Sequence, residues 1–237
     1  MRKSIPKDSI RVLVKHDHRG HCEAQPGIQT SRETQHTSNP QETTEGQITI
    51  DVDLGLDISS SITGVVLLDQ LGEMVFMGHV PLTSKKYQNL FDKADAVLDW
   101  LKTSLSDLQP YVRIKRIFVE ANAKGYAAGF SSADTLFTLA KMNVLVSYLA
   151  HKHFEVPVTD INVTVARSKL GYKNVKAVKM PVKEKVRDFI LATYPELPVE
   201  TRLVKVGKKK GQIVPVEGAA DEIDAFVVCR GGQLMNP

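Results

Sequence analysis

The sequence predicts an α/β fold built on a mixed sheet flanked by helices, and two observations carry that prediction. Between residues 48 and 80, three apolar-alternating runs follow one another with turns too short to hold a helix, so they pair antiparallel as a meander. After residue 81, strand-like and helix-like segments take turns, the pattern of parallel strands joined by helical crossovers. A five-stranded mixed sheet with helices on its faces satisfies both.

Each element has its own reason. In ITIDVDLGLD (48–57), Ile48, Ile50, Val52, Leu54 and Leu56 fall on one face of a strand. ITGVVLLDQ (62–70) and EMVFMGHV (73–80) continue the meander, the second turn lying at Leu71-Gly72. Leu90, Phe91, Ala94, Val97, Leu98, Leu101 and Leu105 recur at helical spacing. RIKRIFVE (113–120) reads as a strand, and Ser131 with Asp134 caps a long helix reaching about His151. VPVTDINV (156–163) is a further strand, and PVKEKVRDFILATY (181–194) a helix with proline near its start. RLVKVGKKKGQIVPV (202–216) is a basic hairpin, followed by a short closing helix around 219–230.

The chain has 237 residues, 42% apolar and 24% charged, enough for a real core. Apolar runs are too short for a membrane-spanning helix, and no apolar stretch follows the basic residues at the N-terminus as a secretory signal requires. Two distant cysteines, Cys22 and Cys229, form no disulfide framework, so a cytoplasmic location is expected. Residues 1–46 hold no aromatic and few apolar side chains, and predict a mostly disordered polar tail with room for one short strand at 10–14. Residues 47–237 form the folded domain.

Charge is unevenly placed. Residues 165–211 carry 13 Lys/Arg against 4 Asp/Glu, whereas residues 212–237 carry 1 against 4. A cationic surface beside carboxylates suggests a polyanion held over metal ions. Asp57 ends the first meander strand, Glu120 ends the strand IFVE, and Asp221 and Asp224 share one helix face in AADEIDAFVV. Taken singly, each acid has a plainer role: a turn or cap for Asp57, a partner of Lys124 for Glu120, a helix N-terminal charge for the pair. Converging, they would make an all-oxygen site suited to Mg²⁺ or Mn²⁺. Two such ions about 3.5–4 Å apart can drive phosphodiester hydrolysis.

Their order along the chain resembles that of the RuvC-type Holliday junction resolvases, within the RNase H-like superfamily. LGLDISSSITGVVLLD (54–69) is similar to the family's opening motif, and the segment 117–150 to its Glu-bearing strand and following helix. PVKEKVRDFI (181–190) resembles its Lys-x-x-Val helix start, and AADEIDAFVV (219–228) its closing Asp-x-x-Asp-Ala motif. The resemblance spans about residues 48–230. It implies metal-binding and catalytic roles for Asp57, Glu120, Asp221 and Asp224, with two Mg²⁺ or Mn²⁺ per site. It implies that Lys183 lies near the scissile phosphate, that the substrate is a four-way DNA junction, and that a homodimer cuts it by paired symmetric nicks.

The sequence departs from the family where Ile58-Ser59 replaces the usual Pro-Gly after the first acid. The family's stacking aromatic has no counterpart at Ala121–Ala123, which leaves Tyr126 or Phe130 as substitutes, each equally fit to be a core anchor. Lys169, Lys173, Lys176, Lys185 and Arg187 are spaced for successive phosphates, and Lys208, Lys209 and Lys210 project at the hairpin turn. Their plainer alternative is a solvated face and a soluble loop. His16, His18, His21 and Cys22 lack the second half of a zinc-finger pattern, so a solvated tail is the reading there. Other readings are a nuclease acting on other branched or single-stranded DNA, an actin-like ATPase or sugar-kinase lobe using DISSSITG as a phosphate turn, and a non-catalytic nucleic-acid-binding module.

Overall fold

A computed structural model describes residues 10–12, 49–122, 133–174, 180–203, 205, 211 and 213–236. Tyr126, Phe130, Ser131, Lys176, Lys208, Lys209, Lys210 and the His16, His18, His21 and Cys22 group lie outside the described residues.

The strands are β1 (Ile10–Val12), β2 (Ile50–Asp57), β3 (Ile62–Asp69), β4 (Met74–Pro81), β5 (Val112–Glu120) and β6 (Val158–Ile161). They form one sheet in the order β1-β4-β3-β2-β5-β6. The meander β2-β3-β4 is antiparallel, while β5 runs parallel to β2 and β6 parallel to β5. The sheet has a sixth strand beyond the five expected: β1, from the segment expected to be a tail, pairs antiparallel with the β4 edge. An edge strand offers unpaired backbone groups, and a short stretch of chain laid along it covers them.

The helices are α1 (Leu90–Leu105), α2 (Ala133–Phe154), α3 (Val163–Lys169), α4 (Val182–Thr193) and α5 (Ala219–Met235). A separate two-stranded hairpin, β7 (Thr201–Leu203) with β8 (Ile213–Pro215), stands where the basic hairpin was expected. The period of two in β2 sorts its side chains between two cores. Val52, Leu54 and Leu56 bury against α1 and α2 with Trp100, Leu101, Met142 and Val146. On the opposite face, Val66, Leu68, Phe118 and Ile161 pack beneath α5, α3 and α4. That second face also carries Asp53, Gly55 and Asp57 in line.

Two expectations are corrected. The strand expected over 156–163 ends at Ile161, because the Asn162 side chain accepts from the Thr164 and Val165 amides and starts α3. The closing helix runs to Met235 rather than about residue 230, straight through Gly231 and Gly232. Those glycines do not break it because close packing requires them: a Cβ at Gly231 would strike Ala166, and one at Gly232 the Phe118 ring.

Candidate active site

Asp57 and Glu120 are the last residues of β2 and β5, parallel neighbours, so their carboxyls emerge together at one end of the sheet. Asp221 and Asp224 reach the same place from the first turns of α5. What brings that helix so close is Gly64, the cross-strand partner of Asp57. A Cβ there would collide with the Asp221 carbonyl, and one at Gly55 with Cys229 and the Ala225 carbonyl. The two missing side chains let α5 lie directly on β2 and β3.

Among the described residues, two cations meet the four acids. Lys183, the second residue of α4, places its Nζ 2.9 Å from Asp224 Oδ2 and 3.7 Å from Asp221 Oδ1. Arg167 of α3 places Nη2 3.5 Å from Asp224 Oδ1. Behind them, Glu222 is buried with its Oε1 2.8 Å from His79 Nδ1 on β4.

The electrostatics follow from crowding negative charge out of water. Burial, then Asp224 and Glu120, push the Asp57 carboxyl well above the ordinary range, with Lys183 opposing. Glu120 is raised by burial and by Asp224, against Arg167 and a side-chain hydrogen bond with Asp57. Asp221 is raised by burial against the pull of Lys183. Lys183 itself loses by desolvation, but Asp224, Asp221 and Asp57 outweigh this and hold its ammonium charged far into the alkaline range.

Two cations against four acids leave an excess of negative charge among hard oxygen donors, which fits a divalent ion of the Mg²⁺ class. Among the described residues, no three Asp, Glu, His or Cys side chains already form a cage for an ion. The charge held between Asp221 and Asp224 is the Lys183 ammonium.

The sheet order decides the architecture: an antiparallel meander, then two parallel strands, with the acid-bearing helix across them. The fold is an RNase H-like mixed sheet flanked by helices. No protein-family model and no curated protein sequence matches the chain. Among solved structures it is similar to Thermus thermophilus RuvC in complex with a Holliday junction substrate, at 12% identity and TM-score 0.49, covering 78% of this chain and 96% of that one. The yeast mitochondrial Holliday junction resolvase Ydc2 is similar at 13% identity and TM-score 0.43, covering 81% and 83%. The human cytomegalovirus terminase nuclease domain, soaked with Mn, is similar at 12% identity and TM-score 0.34, covering 80% and 85%. At these identities the likeness is one of fold.

On this frame the expected residues divide. Asp57, Glu120, Asp221, Asp224 and Lys183 come together. Lys169 and Lys173 are exposed at and beyond the end of α3, and Lys185 is half-buried on α4. Arg187 directs both Nε and Nη2 to Asp188 Oδ1, at 3.0 and 2.8 Å, so its fork is turned to its own helix. In the turn after Asp57, the Ser59 hydroxyl donates to the Ile62 carbonyl and accepts from the Ser61 and Ile62 amides. That hydroxyl is committed to the turn rather than free for a phosphate. Reasoning from sequence missed Arg167, Gly64 and the His79–Glu222 pair. Asn162 ahead of VTVARSK was the available signal for α3, and Thr63-Gly64 within the opening motif was the signal for the close helix; nothing local linked His79 to Glu222.

Proposed function

We propose that the chain is a metal-dependent DNA endonuclease that resolves four-way junctions. The observation that carries this is the meeting of four carboxylates from three elements at one sheet end, two of them gripped by Lys183. Asp57, Glu120, Asp221 and Asp224 are the residues that would hold two Mg²⁺ or Mn²⁺ ions. Bound there, the ions would lower the pKa of the attacking water and neutralise charge on the phosphodiester. Bound ions would favour the ionised form of the Asp57 carboxyl, and Lys183, beside Asp221 and Asp224, would lie next to the phosphate. Lys169, Lys173 and Lys185 supply the neighbouring basic surface; Lys176, Lys208, Lys209 and Lys210, expected from sequence to contact DNA, lie outside the described residues.

A homodimer belongs to the same proposal, since a two-fold enzyme presents two sites to two equivalent strands. Its support lies on α2. Asp134, Phe137, Lys141, Val144, Tyr148 and His151 are all exposed and recur at alternating spacings of three and four, a coiled-coil seam. Phe137, Val144 and Tyr148 are 59%, 61% and 57% exposed. Antiparallel pairing with a second copy sets Phe137 against Tyr148, Lys141 against Val144 and Asp134 against His151, a self-complementary register.

Cleavage of a synthetic four-way junction and of a linear duplex, with Mg²⁺ or EDTA, tests the reading for wild type and Asp221→Asn. Paired symmetric nicks confined to the junction, abolished by EDTA and by the substitution, are expected. Metal-dependent cutting of other branched or single-stranded DNA would retire the junction preference alone. Binding without cutting would leave a nucleic-acid-binding module.

A further inference from the structure

Arg167 is the one cation at the acid cluster that no sequence motif singled out, and its hydrogen bonding is incomplete. A guanidinium binds carboxylate or phosphate best through the paired Nε and Nη2 edge, which offers two parallel donors. In Arg167 the Nε is fully buried and has no hydrogen-bond partner among the described residues. Its Nη2 stands 3.5 Å from Asp224, a charge contact too long for a good hydrogen bond. Arg187, whose edge closes on Asp188, shows what a satisfied fork looks like in this protein. The Arg167 side chain is only 19% exposed, so water does little to compensate the open donor.

The position is nonetheless firmly built. Asn162 caps α3 through two backbone amides, and Ala166 packs against Gly231 of α5 so tightly that no side chain fits between them. Arg167 is thereby held beside Asp224 and within electrostatic reach of Glu120. Lys183 approaches from the other side with a strong contact at 2.9 Å. The two cations flank Asp224, Lys183 in close contact and Arg167 in a longer one with its buried Nε unpaired.

We infer that Arg167 is a further catalytic residue, whose partly exposed guanidinium takes a non-bridging oxygen of the phosphodiester being cut. The inference rests on the nuclease reading above. It assigns to Arg167 the charge that builds on that oxygen during attack, while the acids remain the ion-binding groups.

The test compares Arg167→Gln and Arg167→Lys with wild type in the full-length protein. Junction binding is measured in EDTA across a salt series, cutting at saturating junction with Mg²⁺, and Mn²⁺ binding without DNA by electron paramagnetic resonance. For Arg167→Gln we expect the slope of log affinity against log salt to fall by about one phosphate contact. Its kcat should drop roughly 100-fold, with Mn²⁺ affinity retained or tightened because a competing cation has gone. Arg167→Lys keeps the charge and the salt slope but not the fork, so its kcat should stay well below wild type. Arg167→Lys also serves if the glutamine variant fails to fold. Wild-type kcat in both variants, or Mn²⁺ affinity lost in step with cutting, would overturn the assignment, the second by making Arg167 a prop for the acids. A wild type that cuts no DNA at all would instead sink the nuclease reading, and this inference with it.

Discussion

Asp57 shows at a single residue what the site costs its own fold. Its carboxyl is raised by burial and by three neighbouring acids, so the folded chain binds that proton more tightly than the unfolded chain does. The resulting penalty is absent below the ordinary carboxylate range and grows as pH rises through the raised value. Asp57→Asn imitates the protonated form, keeps a donor toward Glu120 and removes the penalty. In EDTA at pH 7 it should therefore be more stable to urea than wild type, and with Mg²⁺ it should abolish cutting. By pH 4 the advantage should shrink toward zero; urea denaturation at the two pH values measures the difference. Lys183 contributes no slope in this window, because its shift lies in the alkaline range. Asp57, Glu120, Asp221 and Asp224 were legible as candidates because each acid follows an apolar run or sits at helical spacing. Arg167 was not, since nothing local distinguishes one arginine in a basic block from the next.

At the scale of elements, α5 is the part that assembles the site, and it is fastened at both ends of the sheet. Far from the acids, Asp53 is fully buried and receives both arms of Arg116, Nε at 2.9 Å and Nη2 at 2.7 Å. Gln233 near the end of α5 donates to Asp53 Oδ2 and to the Asp69 carbonyl, and accepts from Arg230. Gln233→Ala removes these bonds and leaves Asp53 short of a donor, so a loss of about 1–3 kcal/mol is expected by urea denaturation. Strand and helix types were readable from periodicity, and the meander with its parallel neighbours came out as expected. The length of α5 did not: Gly231 and Gly232 look like a helix stop, and only the pressure of Ala166 and Phe118 explains why they continue one. The start of α3 was hidden in the same way, because Val163 continues an apolar run until Asn162 is recognised as a cap.

For the whole molecule, the proposed dimer makes a prediction separable from chemistry. Val144→Lys sets a lysine against Lys141 of the facing copy on both sides of the centre of the α2 seam and touches none of the four acids. It should give monomers in analytical ultracentrifugation, bind DNA more weakly and leave single rather than paired nicks, while Mn²⁺ binding stays at the wild-type level. Paired nicks from a dimeric Val144→Lys protein would remove α2 from the interface.

The alignment of Asp53, Gly55 and Asp57 along one face of β2 has a thermodynamic consequence. The proposed ion-binding end and the Arg116–Gln233 end lie about 13 Å apart on that strand and are spanned by the same helix. An ion that draws Asp57, Asp221 and Asp224 together pulls on the helix whose tail is hydrogen-bonded to Asp53. Linkage is reciprocal, so each event must favour the other by the same free energy. Magnesium should slow amide hydrogen exchange along the full length of α5, out to Gln233, and not only in the turn that carries the acids. The helix then works as a tensioned beam, and part of the affinity for the ion is stored at the end where no ion ever sits.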